Sequence, residues 1–184
     1  MKRFNAALIL FIFSFVLIPA LSSAHDLVWP GEKLKAMFPQ AESFEQKNLY
    51  VSDEQRSRIE IALGSKLPEE DLKPSIYLAV VRTSPDSPPR KAAAMMFIDA
   101  YGKGGKIEMG VVVGGKGEII KVLIFENNES GEVSSDAFLK QLEGKKASDS
   151  FTVKAPAGNE KPAQAIASGA RRGLLIINEM FRKK

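Results

Sequence analysis

The stretch Ala165-Ile166-Ala167-Ser168-Gly169-Ala170-Arg171-Arg172-Gly173 sets a small hydroxyl residue, a glycine and two guanidinium groups side by side, at the head of an apolar helical pattern. With Ser168 as helix N-cap and Gly169 letting a ligand come close to the backbone, the unpaired amide N–H groups of a first turn would face an anion. The helix dipole contributes roughly 0.3–1 kcal/mol toward a negative group, up to about 2 when partly buried. Arg171 or Arg172 would add charge-assisted hydrogen bonds of about 1.5–3 kcal/mol each to a phosphate. The sum is a modest phosphate site of the sort a mononucleotide cofactor uses. The competing reading is that Gly169 and Gly173 only let the helix pack closely and that both arginines are solvated.

Other chemistries lack their residues. The only histidine is His25, and no Ser, Asp and His are spaced as a catalytic triad, which argues against a hydrolase. His25 has no companion ligands beside it for a metal. The chain has no cysteine, which excludes disulfides, c-type haem attachment, iron–sulfur clusters, thiolate metal sites and a lipid-modified N-terminal cysteine. Any redox chemistry must therefore come from a bound organic cofactor. Formal net charge is +4, of which Lys2 and Arg3 supply two, too little and too scattered for a nucleic-acid partner.

A site near Ser168 needs elements to hold it, and the pattern supplies them. Residues 32–38 form a short amphipathic piece within an arm that contains Pro30, Gly31 and Pro39. Ser52 with Gln55 makes a capping box for a helix that buries Ile59, Ala62 and Leu63 and ends at Gly64. Residues 76–81 read as a strand, and Pro85, Pro88 and Pro89 mark the loop after it. Strands over 92–101, 106–113 and 118–125 are joined by Gly102-Lys103-Gly104-Gly105 and Gly114-Gly115-Lys116-Gly117. Links this short join antiparallel neighbours, since parallel strands need a crossover of a dozen residues or more. These links read as hairpin turns, not phosphate cradles, because no helix follows them. Ser134 or Ser135 caps a helix reaching about Gly144, with Phe138 and Leu142 on one face. A short strand over 151–153 and a loop with Pro156, Gly158 and Pro162 precede a last helix carrying Leu174, Ile177, Met180 and Phe181 at helical spacing. The expected fold class is α+β, a central antiparallel β-meander with flanking helices behind an N-terminal signal peptide.

That leader is read from Lys2 and Arg3, an uncharged apolar run over 6–21 interrupted by Pro19, and Ser22 and Ala24 at the −3 and −1 positions of a signal-peptidase site. A spanning helix wants about 20 apolar residues, which makes an uncleaved membrane anchor the lesser alternative. The expected organisation is a signal peptide over 1–24, an N-terminal arm over 25–49 and one domain over 50–184. Roughly 160 residues beyond the leader are enough for one core. The expected location is periplasmic or otherwise extracytoplasmic.

The order of elements between residues 38 and 181 resembles the FMN-binding domain family, typified by the extracytoplasmic flavoprotein subunits of the Rnf electron-transport complex and of sodium-translocating NADH:quinone reductase. Three stretches carry the resemblance. Gly117-Glu118-Ile119-Ile120-Lys121-Val122 leads to Glu129-Ser130-Gly131-Glu132, similar to the family's Glu-Thr-Pro-Gly loop. Phe138-Leu139-Lys140-Gln141-Leu142-Glu143-Gly144-Lys145 resembles the helix after it, and Ser168-Gly169-Ala170 matches the start of Ser-Gly-Ala-Thr. In that family the Thr hydroxyl carries FMN as a phosphoester, and an Asp stands three residues before the Ser. Here Arg171 replaces the Thr and Ala165 the Asp, and arginine has no hydroxyl to esterify.

The resemblance implies a non-covalent FMN site drawn from Glu129, Ser130, Gly131, Ser168, Gly169, Ala170, Arg171 and Arg172. The chain would then be an electron carrier passing electrons to a redox partner protein at the membrane, with no nucleic-acid or disulfide partner. The alternatives are a flavin-free descendant of the fold that binds a protein or an envelope component, and a small flavin-dependent reductase.

Overall fold

The computed structural model describes residues 31–182. The expected leader with its Ser22 and Ala24, together with His25 and Trp29, lies outside the described residues. Five strands, β1 (Ser43–Asn48), β2 (Ser75–Val81), β3 (Arg90–Tyr101), β4 (Lys106–Gly114) and β5 (Ile119–Glu126), form one antiparallel sheet in chain order. The helices are α1 (Gly31–Met37), α2 (Asp53–Leu63), α3 (Asp136–Leu139) and α4 (Glu160–Met180). The architecture is α+β, with the meander at its centre. Its two glycine-rich links close as hairpins, with the Gly102 N–H donating to the Gly105 carbonyl at 2.9 Å and the Gly117 N–H to the Gly114 carbonyl at 3.0 Å.

Both sheet faces are covered, so the central strands are apolar on successive residues. On β4, Ile107, Met109, Val111 and Val113 join Ile98 and Ala100 of β3 under α4, where Ile166, Ala170, Leu174 and Ile177 meet them. On the other face Val112, Tyr77, Ala79 and Met95 receive Leu34 and Met37 of α1. A Cβ on Gly110 would stand 2.7 Å from the Met37 thioether, so that glycine is the notch into which α1 sets its last turn. Each large side chain fully withdrawn from water here contributes about 1.5–3 kcal/mol.

α2 starts as the capping box requires. The Ser52 hydroxyl accepts from the Gln55 N–H at 3.3 Å, the Gln55 side chain accepts from the Ser52 N–H at 2.9 Å, and Gly64 ends the helix at φ 72°. Arg58 then ties α2 to α4 through Glu179 at 2.5 Å.

Four features differ from the sequence reading. Residues 43–48 are not part of an arm; they are the edge strand β1, with Ser43 opposite Val80 and Asn48 opposite Ser75. Ser-Phe-Glu-Gln-Lys-Asn is almost wholly exposed and has no apolar alternation to betray it, and backbone pairing with β2 makes the strand. The helix expected from Ser134 or Ser135 to about Gly144 is capped by Ser135, whose hydroxyl accepts from the Phe138 N–H at 3.3 Å, but after the single α-turn α3 it tightens into a 3-10 turn at Lys140–Leu142, and a separate 3-10 turn at Gly131–Ser134 precedes it. No strand forms over 151–153, because the β5 edge is already taken: the Gly144 N–H donates to the Ile119 carbonyl at 2.7 Å and the Ile119 N–H to the Lys145 carbonyl at 2.9 Å. Finally α4 begins at Glu160, not at Ser168. Pro162 lies in its first turn, where its missing N–H has no carbonyl to satisfy, so the proline belongs to the helix and not to the loop before it.

α4 approaches the sheet closely at two glycines. A Cβ on Gly169 would lie 2.9 Å from the Met109 sulfur, the movable end of a flexible side chain, whereas one on Gly173 would lie 3.1 and 3.2 Å from Cγ2 and Cβ of Val111. The β-branched Val111 cannot yield at its root. Alanine gains about 1 kcal/mol of helix propensity over glycine, and overpacking costs about 1–3. Gly169→Ala is therefore expected to be near neutral and Gly173→Ala destabilising by about 1–2 kcal/mol. Urea unfolding of the two variants checks it; equal effects would refute the packing account.

Candidate functional site

The expected anion cradle at Ser168 is not built. Ser168 is the ninth residue of a 21-residue helix, exposed, with its hydroxyl accepting only from the Gln164 side chain at 3.4 Å. In a helix interior the backbone N–H groups are committed to carbonyls four residues back, so residues 168–171 offer no unpaired donors. Gly169 and Ala170 are buried against the sheet. The close approach that Gly169 permits is to Met109, not to a ligand.

The two arginines part ways. The Arg171 guanidinium lies 5.8 Å from the centroid of the Phe151 ring, which Lys145 also approaches at 5.6 Å, and its Nε is buried without a hydrogen-bond partner. Cation–π contacts of this kind contribute about 0.5–1 kcal/mol at accessible sites. Arg172 is drawn inward: a terminal nitrogen donates to the Asp99 carbonyl at 2.5 Å, and Nε stands 2.6 Å from Oδ2 of Asp71 without hydrogen-bond alignment. Asp71 is 6% exposed and is the one buried charged residue among the described residues. Burial pushes its carboxyl up to about 6; Arg172 opposes that rise and Glu70 adds to it. Arg172 is thus the counter-charge of a buried carboxylate and has no fork to spare for a phosphate.

The loop that the resemblance pairs with Ser168 is also occupied. The Glu129 carboxylate accepts from the Gly104 N–H at 2.6 Å, and a Cβ on Gly102 would collide with the same carboxylate, so Glu129 fastens the β3–β4 hairpin. Ser130 caps the 3-10 turn that starts at Gly131 by accepting from the Glu132 N–H at 3.3 Å. Its link to α4 is the Asn159 amide donating to Glu132 at 3.4 Å, nine residues before Ser168 and hence about 13 Å away along the helix. No hydrogen bond or ion pair joins Glu129, Ser130 or Gly131 to residues 168–172.

An open cleft lies elsewhere, at the C-terminal end of α4. About 700 Å³ in volume, it lies between that helix end, the first residues of β3 and the turn at residues 114–117. Its floor is Ala94 with Leu78, Val113 and Ile177, and its rim carries Lys91, Lys116, Lys146 and the exposed ring of Phe181. The Asn178 side chain donates to the Gly117 carbonyl at 3.1 Å and clasps the helix to the turn. Gly117 holds φ 74°, a conformation that favours glycine. Sequence reasoning read this turn only as a hairpin and had no signal that three lysines so far apart in the chain converge on it. Among the described residues no helix is long and apolar enough to cross a membrane, and no three His, Cys, Asp or Glu side chains gather as a metal site.

Compared with known proteins, the sequence matches no family model and no curated relative.

The two arginines give a sharp contrast. Arg172→Ala, which strands a buried carboxylate, is expected to cost about 3–5 kcal/mol, and Arg171→Ala about 1 or less. Because the folded state holds Asp71 above its ordinary 3.8, its favourable contribution is complete below about pH 4 and fades as pH rises through about 6. Relative to Asp71→Asn, the wild-type protein should therefore gain unfolding free energy as pH is lowered from 7 to 4. A difference that is flat, or that shrinks toward acid, would show that Asp71 ionises normally.

Proposed function

We propose that the chain is an exported, flavin-free binding module: the second of the readings that the resemblance allows. The observation that carries it is the contrast within α4. Gly169 and Arg172 are spent on packing and on a buried ion pair and Arg171 stands over the Phe151 ring, while an open cleft with its own cationic rim lies at the helix end. A mostly apolar concavity with a few convergent polar groups is the usual form of a ligand site. The chain has no cysteine, so no disulfide joins it to a partner. The leader read from residues 1–24 supports delivery outside the cytoplasm.

An electron carrier would need donors fixed on the FMN phosphate, because the cofactor does the redox step and the protein supplies only orientation and electrostatics. The backbone of the α4 helix middle supplies no such donors, the Glu129 carboxylate is taken up by the Gly104 N–H, and Arg171 stands over the Phe151 ring.

The decisive measurement is a flavin titration of protein purified from the producing cell. The expected outcome is colourless protein and no saturable quenching of FMN fluorescence. Yellow protein that loses its FMN on Arg171→Ala, but holds riboflavin equally well before and after that change, would reinstate the flavin carrier.

A further inference from the structure

We infer that the cleft at the end of α4 binds a small anionic amphiphile, a compact apolar body bearing one carboxylate, sulfonate or phosphate. The inference rests on the binding-module reading and adds to it the chemistry of the ligand. Three observations point the same way.

The first is charge. Lys91, Lys116 and Lys146 line the opening and no aspartate or glutamate does. Lys91 reaches Glu45 at 3.1 Å, while Lys116 and Lys146 have no acidic partner among the described residues. The nearest carboxylate in the turn, that of Glu118, is packed against Gly114 beside Ile120 and does not line the cleft. The C-terminal end of α4 carries about half a negative charge, which Lys116 and Lys146 outweigh.

The second is the floor. On the α4 face of β3 the side chains run Ala94, Met96, Ile98, so the depression at Ala94 is written into side-chain size. With Leu78, Val113 and Ile177 beside it, Ala94 leaves an apolar bed that no described side chain fills. The half-exposed ring of Phe181 stands at its mouth, in contact with water that a bound apolar body would displace.

The third is preparation. The Asn178–Gly117 hydrogen bond, the Gly114 N–H donating to the Glu118 carbonyl at 2.9 Å and the Gly117 N–H donating back to Gly114 hold the turn in place. A wall already fixed costs little ordering when a ligand arrives. The volume, about 700 Å³, lies within the range of sites that enclose small organic molecules.

The test uses the purified protein with 8-anilinonaphthalene-1-sulfonate as an anionic probe and Nile red as a neutral one. The sulfonate should bind saturably and be displaced by dodecanoate but not by dodecanol. Lys116→Gln with Lys146→Gln should weaken it by about tenfold or more. Lys103→Gln, in the turn at the other end of β4, should leave it unchanged. Ala94→Phe should fill the bed and remove both probes. Since that variant stresses the core, the lysine pair on exposed turns keeps the charge test independent of folding, which circular dichroism monitors. If Nile red binds and Ala94→Phe abolishes it while the lysine pair has no effect on the sulfonate, the anionic ligand is refuted and the binding module stands. If neither probe binds while FMN does, the module reading falls as well. Protein that ignores dodecanoate but sediments with anionic phospholipid vesicles assigns the lysines to a membrane surface and overturns a small-ligand site. Probe exclusion by a dimer in sedimentation gives the cleft to a second copy, with the same consequence.

Discussion

Close contact between α4 and the sheet is the constraint from which the rest of the molecule follows. The helix meets β3 and β4 through Ala163, Ala167, Gly169, Ala170 and Gly173, where small side chains let the backbones approach and leave Ile98, Met109 and Val111 to fill the gap. Dispersion and water exclusion both fall off steeply when such a seam opens, so its rotation about the helix axis is fixed. Once Ile166 and Ala170 face the sheet, Ser168 is turned about 200° from each and must point to solvent. The feature that resembles a ligand-binding signature is therefore consumed by packing: the glycine is needed for Met109, and the serine is what remains on the outer face.

The same seam explains the buried charge. A guanidinium beside the seam would be costly without a partner, and the segment that follows α2 supplies one in Asp71. Residues Glu69–Leu72 form a 3-10 turn; Val51 donates its N–H to the Leu72 carbonyl at 2.9 Å, and Leu72 joins the core shared with α4, so the ion pair sits where that turn is already held. Hydrophobic contact brings these elements together; Arg172 then ties α4 to Asp71 by an ion pair and to β3 through the Asp99 carbonyl. Glu129 plays the corresponding part for the β3–β4 hairpin. In both places a charged side chain that looks available in the sequence is satisfied by backbone or by its opposite charge.

What the sequence revealed divides along the range of the interactions involved. The capping box at Ser52 and Gln55, the Gly64 stop and the two glycine hairpins are local, and each can be read from a window of a few residues. The strands β2 to β5 were legible because their apolar runs are bounded by proline or glycine. β1 was not, since Ser-Phe-Glu-Gln-Lys-Asn owes its form to the edge of β2 alone. The start of α4 was misplaced because Pro162 reads as a breaker and Ser168 as a cap, whereas proline in a first turn and serine in an exposed interior are both tolerated. Phe151 looked like strand and became the platform for Arg171, a partnership set by tertiary contact.

The cleft follows from a mismatch of lengths. α4 runs against the direction of β3: Gly169 lies over Ala100 and Met109, Gly173 over Ile98 and Val111, and Ile177 and Asn178 reach Val113 and the turn at Gly117. Each helical turn thus covers about two strand residues, about 6 Å in either measure. At that rate the helix, ending at Met180, stops while β3 still has residues back to Arg90 to offer. A longer helix would cover Ala94, and a larger residue at that position would fill the space beneath. With neither, an apolar bed is left open at the one end of the sheet where Lys91, Lys116 and Lys146 converge. Burying apolar surface there stabilises a complex at roughly 25 cal/mol per Å², and the lysines decide which apolar molecules can use it.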